Sequence, residues 1–217
     1  MQEVQIKAPK HEFTILCDDI RQEMGGKASL MGLYDHHIVV PEVPFVLPKV
    51  CFFSKFSRMD GQFKFSFSVV SPNGERKDII RDSDVQIPEG AKEGTFNVIA
   101  SPFEVGAEGV YEVILGLTKG ADRFEYVYKF AISNAQRLQA EWVQAFYRIA
   151  ISKPFIESIS WLDLADYEGH YLPHGGLCRN DMDPKLAYRE LRNFKASLAA
   201  DTPAIQTVAT RIVKSEG

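Results

Sequence analysis

Between Gln62 and Val69 the chain alternates strictly between polar and apolar side chains, and this pattern limits the fold more than any other feature. Phe63, Phe65 and Phe67 fall on one face of an extended chain, and the lysine and serines between them fall on the other. A helix would spread the same side chains around its circumference. The segment therefore predicts a strand in a sheet that buries one face.

Short segments of similar strand character recur from His11 to Ile132, separated by turn residues such as Gly25-Gly26 and Pro72-Asn73-Gly74. Strands at this spacing, with no long helical pattern between them, predict an antiparallel β-sandwich, with a closed barrel as the alternative. The further predicted strands are Phe13–Cys17, Ser29–Tyr34, Ile38–Val40, Val50–Phe56, Ile79–Ile87, Thr95–Ala100, Gly109–Leu117 and Phe124–Ile132.

After Ile132 the pattern changes to helical spacing. The sequence predicts a first helix that begins at a capping box over 133–136 and ends before Pro154. Its predicted buried face consists of Leu138, Trp142, Ala145, Phe146 and Ile149. These residues have to be buried against the sandwich or against a second copy of the chain, because so short a segment has little core of its own.

The rest of the C-terminal part predicts one α/β unit. Ile156–Leu162 is short and apolar, which predicts a strand, and a polar loop follows it. Asp183 is the predicted N-cap of a second helix, with Pro184 at its first position. The predicted fold class is mainly β with an α/β appendage: an antiparallel β-sandwich domain over 1–132, followed by a helix-strand-loop-helix segment over 133–217.

Charge and composition exclude several classes of partner. The chain has 25 basic and 29 acidic residues, so it lacks the basic excess that nucleic-acid binding requires. Its apolar runs are far shorter than the ~20 residues of a membrane helix, and no leader pattern opens the chain. We therefore predict a cytoplasmic protein that binds neither nucleic acid nor membrane.

Cysteine usage and motifs exclude further classes. Cys17, Cys51 and Cys178 form no C-x-x-C pair, which argues against a disulfide framework or a zinc knuckle. Cys17 and Cys51 stand in apolar, strand-like runs and are predicted to be small buried side chains. The chain has no glycine-rich phosphate loop and no nucleophile elbow, so we predict no cofactor.

Four segments of the first part of the chain form a recognisable pattern: Ile15–Asp19, Gly26–Asp35, Val40–Pro44 and Leu47–Lys49. With them, residues 10–132 resemble a bacterial family of small domains with no assigned function. The resemblance implies a compact β-sandwich and no known chemistry.

Five segments of the C-terminal part form a second pattern: Gln139–Trp142, Ile149–Pro154, Ser160–Asp166, Leu172–Leu177 and Pro184–Tyr188. With them, residues 136–198 resemble the last helix-strand-loop-helix portion of the xylanase-like group of retaining glycoside hydrolase barrels. The two catalytic glutamates of that family lie upstream of the matched portion, and Glu125 is not in the nucleophile's motif. A barrel of this kind needs ~250 residues, so the segment is interpreted as a barrel remnant without catalytic residues.

The resemblance nominates a carbohydrate-binding site at Trp161, Asp163 and Asp166. The Trp161 ring could form an apolar platform under a sugar. The alternative is a structural role, in which Trp161 is a core residue and the two aspartates cap turns in the loop. His170 and His174 are weak metal candidates because the prolines and glycines around them argue against a helix that would bring the rings together. We predict no metal site.

Two functions are compatible with these features. The first is a non-catalytic β-sandwich protein with a binding or structural role, whose ligand is unknown and whose partner is either another protein or a second copy. The alternative is a carbohydrate-binding or glycoside hydrolase-related protein that acts on a plant-type polysaccharide.

Overall fold

The computed structural model describes residues 8–167, 169 and 174–200. The chain divides into two compact units, a sandwich unit over Met1–Asn134 and a helical unit over Ala135–Gly217. Strands dominate the first unit and helices the second, which confirms the prediction of a mainly β chain with a small helical part.

The sandwich unit contains two main sheets and one short ribbon. Its strands are β1 (Lys10–Gln22), β2 (Ala28–Tyr34), β3 (His37–Val40), β4 (Phe45–Leu47), β5 (Val50–Ser57), β6 (Gly61–Val70), β7 (Arg76–Ile87), β8 (Glu93–Ala100), β9 (Phe103–Val105), β10 (Gly109–Lys119) and β11 (Asp122–Asn134). The first sheet has the order β2-β1-β5-β8, the second has the order β3-β11-β10-β6-β7, and β4 pairs with β9. Neighbouring strands are antiparallel except for β3 and β11, which are parallel.

Aromatic side chains from both sheets fill the space between them. Phe52 of β5 lies 5.0 Å from Phe67 of β6 and 5.9 Å from Phe130 of β11, measured between ring centroids. On β6 the apolar residues of the alternating segment are buried, and Lys64 between them is exposed. The period-two pattern therefore identified both the strand and its buried face.

The helical unit contains α1 (Ala135–Ile151) and α2 (Leu186–Ala200). The predicted buried face of α1 is wrong: Leu138, Trp142 and Ile149 are exposed, while Val143 and Ala140 are buried. Small side chains explain the difference, because Ala140 and Val143 pack with Ala187 of α2 and let the two helices approach closely. Neither helix that the structure describes is long and apolar enough to span a membrane.

Three local predictions in and beside the helical unit are also wrong. Residues 156–162 form no strand, and the nearby pairing consists of isolated bridges of Cys178 with Ala165 and with Pro184. A strand is stable only when another strand pairs with it, and the apolar composition of residues 156–162 does not provide a pairing partner.

Both helices begin later than predicted, because each proposed N-cap residue has another partner. Ser133 is the last-but-one residue of β11, and its hydroxyl lies 2.8 Å from Nε2 of His37. Asp183 is paired with Arg179, and α2 begins three residues after it, at Leu186.

Candidate functional site

The predicted sugar platform is part of a structural contact. The Trp161 ring is half-buried and meets Trp142 edge-on at 6.0 Å between ring centroids. Its indole N–H donates a hydrogen bond of 3.0 Å to the carbonyl of Gly175. The polar edge of Trp161 is therefore already engaged, and the more exposed ring is that of Trp142, which sequence reasoning had assigned to the core.

Asp166 belongs to a buried ionic contact that holds the loop together. Its Oδ1 accepts hydrogen bonds from Lys185 Nζ at 2.6 Å and from the backbone N–H of Gly176 at 3.1 Å. The Lys185 side chain is only 6% exposed and also donates to the carbonyl of His174. Asp163 is half-buried in the same loop. These contacts join two parts of the chain 19 residues apart, which is a structural role.

Glycine is required where the loop crosses itself. A Cβ on Gly176 would overlap the backbone of Ala165. This close approach places the Gly176 N–H against Asp166, while Gln139 of α1 donates to the Gly176 carbonyl at 3.1 Å. The loop conformation therefore depends on the same residues that the sequence nominated for binding.

Only one of the two metal candidates, His174, lies among the residues that the structure describes. His170 lies outside the described residues, and His174 is exposed. Across residues 8–167, 169 and 174–200, no group of three or more His, Cys, Asp or Glu side chains could hold a metal ion.

The edges of the two main sheets differ in charge. The edge strand β7 carries Arg76, Lys77, Asp78, Arg81, Asp82 and Asp84. Its pairing with β6 is interrupted by register shifts, and Asp82 has a φ of 46°. Charges and irregularities of this kind prevent a second strand from pairing with an exposed edge. The edge strand β3 has only four residues, which limits pairing by its length.

The opposite charge pattern is found at β2, an edge of the four-stranded sheet, although Gly32 in this strand also has a left-handed φ of +63°. No Asp, Glu, Lys or Arg occurs among its seven residues, and the nearest charged residues along the chain are Lys27 before it and Asp35 after it. Two carboxylates of β1 and the hairpin reach it, because Asp18 accepts a hydrogen bond from Tyr34 and Glu23 accepts one from Ser29. Met31 is 44% exposed and Leu33 is 64% exposed, although both are large and apolar. An uncharged edge with exposed apolar side chains favours pairing with another strand.

A row of apolar residues crosses the outer face of the four-stranded sheet, with exposed side chains at its two ends and buried cysteines between them. Leu33 is aligned with Cys17 of β1, Cys17 with Cys51 of β5, and Cys51 with Ile99 of β8. Phe13 stacks on Phe53 on the same face. This row, from Leu33 at one edge to Ile99 at the other, is called the outer apolar row below.

The cysteines in this row are structural. Cys17 and Cys51 are fully buried, which confirms the prediction of small buried side chains. Burial raises the pKa of Cys17 to about 11 and also raises the pKa of Cys51. A thiol with a raised pKa is a weak nucleophile at neutral pH, because the thiolate is scarce.

Polar contacts fix β2 against β1. Tyr34 of β2 donates a hydrogen bond to the Asp18 carboxylate of β1. Gly32 has a φ of +63°, and a Cβ on Gly32 would overlap the Asp18 side chain. These contacts hold β2 in place on one side while its other side remains a sheet edge.

Sequence reasoning missed the β2 edge. The usable signal was the uncharged stretch between Lys27 and Asp35, in contrast to the charged stretch that begins at Arg76. Both segments were predicted as strands, but the pattern along one strand does not identify its position in a sheet.

Comparison with protein-family models gives a match within the first part of the chain. Residues 12–118 match the model of a family of unknown function, DUF6941. This agrees with the resemblance seen in the sequence to an uncharacterised family, and it does not extend to residues 136–198. The comparison with curated proteins finds no match.

Proposed function

We propose that the sandwich unit is a non-catalytic protein-interaction module that binds its partner by strand addition at β2. One observation carries the proposal: of the three edge strands longer than four residues in the described part of the chain, only β2 has no charged side chain. In strand addition an extended segment forms main-chain hydrogen bonds to a sheet edge, and side chains on alternate positions provide specificity.

The backbone of β2 supports this mode of binding. The N–H of Glu23 donates to the carbonyl of Lys27 at the start of the β1–β2 hairpin. Because hydrogen-bonded pairs alternate along an antiparallel ladder, Ser29, Met31 and Leu33 bond to β1 in the observed register. The alternate residues Ala28, Leu30 and Tyr34 therefore direct their backbone groups toward the open edge.

A displayed library of nine-residue peptides would test whether this edge accepts a strand. We expect panning against the full chain to enrich uncharged peptides rich in β-branched and aromatic residues, which suit an extended conformation. A Met31→Lys variant should bind the enriched peptides at least tenfold more weakly. The matched control is Ile99→Lys, which places the same charge on an exposed apolar position at the opposite edge of the same sheet.

The control separates the edge from the face. If Ile99→Lys weakens peptide binding as much as Met31→Lys does, the peptides bind the outer apolar row and the proposal is wrong. Equal binding to the unsubstituted chain and to Met31→Lys also contradicts it. Circular dichroism of each variant checks that the sandwich is folded.

A carbohydrate function is the second candidate, and one observation favours it. The Trp142 ring is 58% exposed and stacks on Phe146 with an angle of 5° between the ring planes. Such an aromatic surface can hold the apolar face of a sugar. Titration with xylo-oligosaccharides tests it directly, since the two tryptophans of the chain, Trp142 and Trp161, are close enough to report binding by fluorescence. Unchanged fluorescence at millimolar sugar would remove this candidate.

A further inference from the structure

We infer that the strand added to β2 is the β2 strand of a second copy of this chain, so that two sandwich units join through their four-stranded sheets. The inference rests on the proposed function, because it names the partner of the same edge. It commits to a two-fold dimer in which both copies use identical residues.

The flanking charges support a second copy. An antiparallel pairing centred on Met31 aligns residue 31 with itself, and residues at equal distances on either side are then opposite each other. Lys27 stands four residues before Met31 and Asp35 four residues after it. Lys27 of each copy therefore lies opposite Asp35 of the other, which creates two ion pairs across the two-fold axis.

Both side chains are available for such pairs. Lys27 and Asp35 are exposed, and neither forms an ion pair with any of the residues that the structure describes. Opposite charges that face each other on adjacent strands stabilise a sheet, and like charges destabilise it. No charged residue lies between Lys27 and Asp35, so no side chain in this stretch would face a like charge across the two-fold axis.

The backbone register agrees with the same centre. Pairing about Met31 aligns Ala28 with Tyr34 of the second copy, and both direct their backbone groups outward. Leu30 lies opposite Gly32, whose φ of +63° departs locally from extended geometry. The outer face also matches, because Met31 then contacts its own counterpart and Ser29 lies opposite Leu33. Exposed apolar side chains of the two copies would thus be partly covered by each other.

The other uncovered edge of this sheet lacks this symmetry. At β8 the charged residues Lys92 and Glu93 stand together at one end, so antiparallel self-pairing brings neither opposite an opposite charge. Glu93 is already paired with Lys55 at 2.8 Å. A dimer through β2 is closed by its two-fold axis, because the interface uses the same edge of both copies.

Charge exchange tests the register. We expect sedimentation equilibrium at ~50 mM salt to show a dimer of the 24.5 kDa chain. Low salt is chosen because exposed ion pairs are screened at higher ionic strength. Lys27→Glu and Asp35→Lys should each raise the dimer dissociation constant about tenfold, since each creates two like-charge pairs.

Two rescue measurements distinguish the interface from a folding defect. The double variant Lys27→Glu/Asp35→Lys should dimerise within about twofold of the unsubstituted chain, because both ion pairs are restored in reverse. An equimolar mixture of the two single variants should form a heterodimer. In that heterodimer the introduced carboxylate at position 27 of one copy faces the introduced amine at position 35 of the other, and the remaining Asp35 faces the remaining Lys27.

The outcomes separate this inference from the proposed function. A monomeric chain at 100 μM, or a double variant as weak as the single variants, overturns the second-copy inference. If Ile99→Lys weakens dimerisation as much as Met31→Lys does, the second-copy inference is also wrong, because the outer apolar row would then form the dimer. The displayed peptides test strand addition independently of dimerisation. If the chain is monomeric and Met31→Lys still weakens peptide binding, the proposed function holds and only the second-copy inference is wrong.

Discussion

The two units place their aromatic residues differently, inside the core of the sandwich unit and at the margin of the core of the helical unit. In the sandwich unit, phenylalanines from both sheets are fully enclosed, and the core cluster draws on nine of the strands. In the helical unit, the described core cluster consists of four small or medium residues, Ala140, Val143, Leu177 and Ala187, with large aromatic rings around its margin. Aromatic content alone therefore does not show where a core lies.

The difference follows from the geometry of the two kinds of packing. Facing sheets lie about 10 Å apart, a gap that large side chains fill. Two helices separated by a few side chains approach most closely where those side chains are small.

The largest effect is expected for Phe52→Ala in the sandwich. Phe52 is completely buried and contacts rings from two strands of the opposite sheet. Truncation removes this contact and leaves a cavity, so the free energy of unfolding should fall by about 4 kcal/mol. Urea unfolding followed by the β-sheet signal in circular dichroism measures it, and a loss below ~1 kcal/mol would contradict the assignment of Phe52 to the core.

In the helical unit, the largest expected effect comes from a charge. Lys185→Met removes the partner of Asp166, whose side chain is 17% exposed, and should lower the free energy of unfolding by about 3 kcal/mol. Tryptophan fluorescence is the probe, because both tryptophans lie in this unit. Adding Asp166→Asn should recover part of the loss, since it removes the unpaired charge. A double variant less stable than Lys185→Met would show that the ionic contact is not the source.

Neighbouring residues of α1 provide the most direct test of which face is buried. Val143→Ala should cost about 2 kcal/mol because Val143 is fully buried, whereas Trp142→Ala should cost only about 0.5 kcal/mol because its ring is mostly exposed. Helical circular dichroism during urea unfolding compares the two. The opposite ranking would restore the sequence-based prediction that Leu138, Trp142 and Phe146 form the buried face.

The smallest expected effect is a pH dependence within the sandwich. His11 Nε2 lies 2.8 Å from the Thr14 hydroxyl, which in turn contacts Ser54 at 2.9 Å. Burial lowers the pKa of His11 below its ordinary value of 6.5. The unfolded chain therefore binds a proton at higher pH than the folded chain, and stability that is complete above pH 6.5 should decline as the pH falls through the lowered pKa.

Unfolding of the unsubstituted chain and of His11→Asn between pH 7.5 and 5.5 measures this contribution. The variant should have a flatter stability profile in that range. Identical slopes would contradict the assignment of the pH dependence to His11.

The strands were predictable because their evidence is local. The alternation over Gln62–Val69 identified β6 and its buried side, and the helical spacing after Ile132 identified α1. The proposed strand over 156–162 failed because a strand depends on a neighbour that its own composition does not encode. Among the nominated site residues, Trp161 and Asp166 were found in one loop, but their hydrogen-bond partners, Gly175 and Lys185, could not be deduced from spacing.

The sequence by itself determined a β-rich first part and a helical last part, because hydrophobic periodicity is a property of consecutive residues. Only the tertiary structure decided that β2 is a sheet edge and that Trp142 faces solvent. An edge is defined by which strands pair, and a buried helix face by which element packs on it. Both depend on contacts between residues distant in the chain, where the same local pattern is compatible with several arrangements.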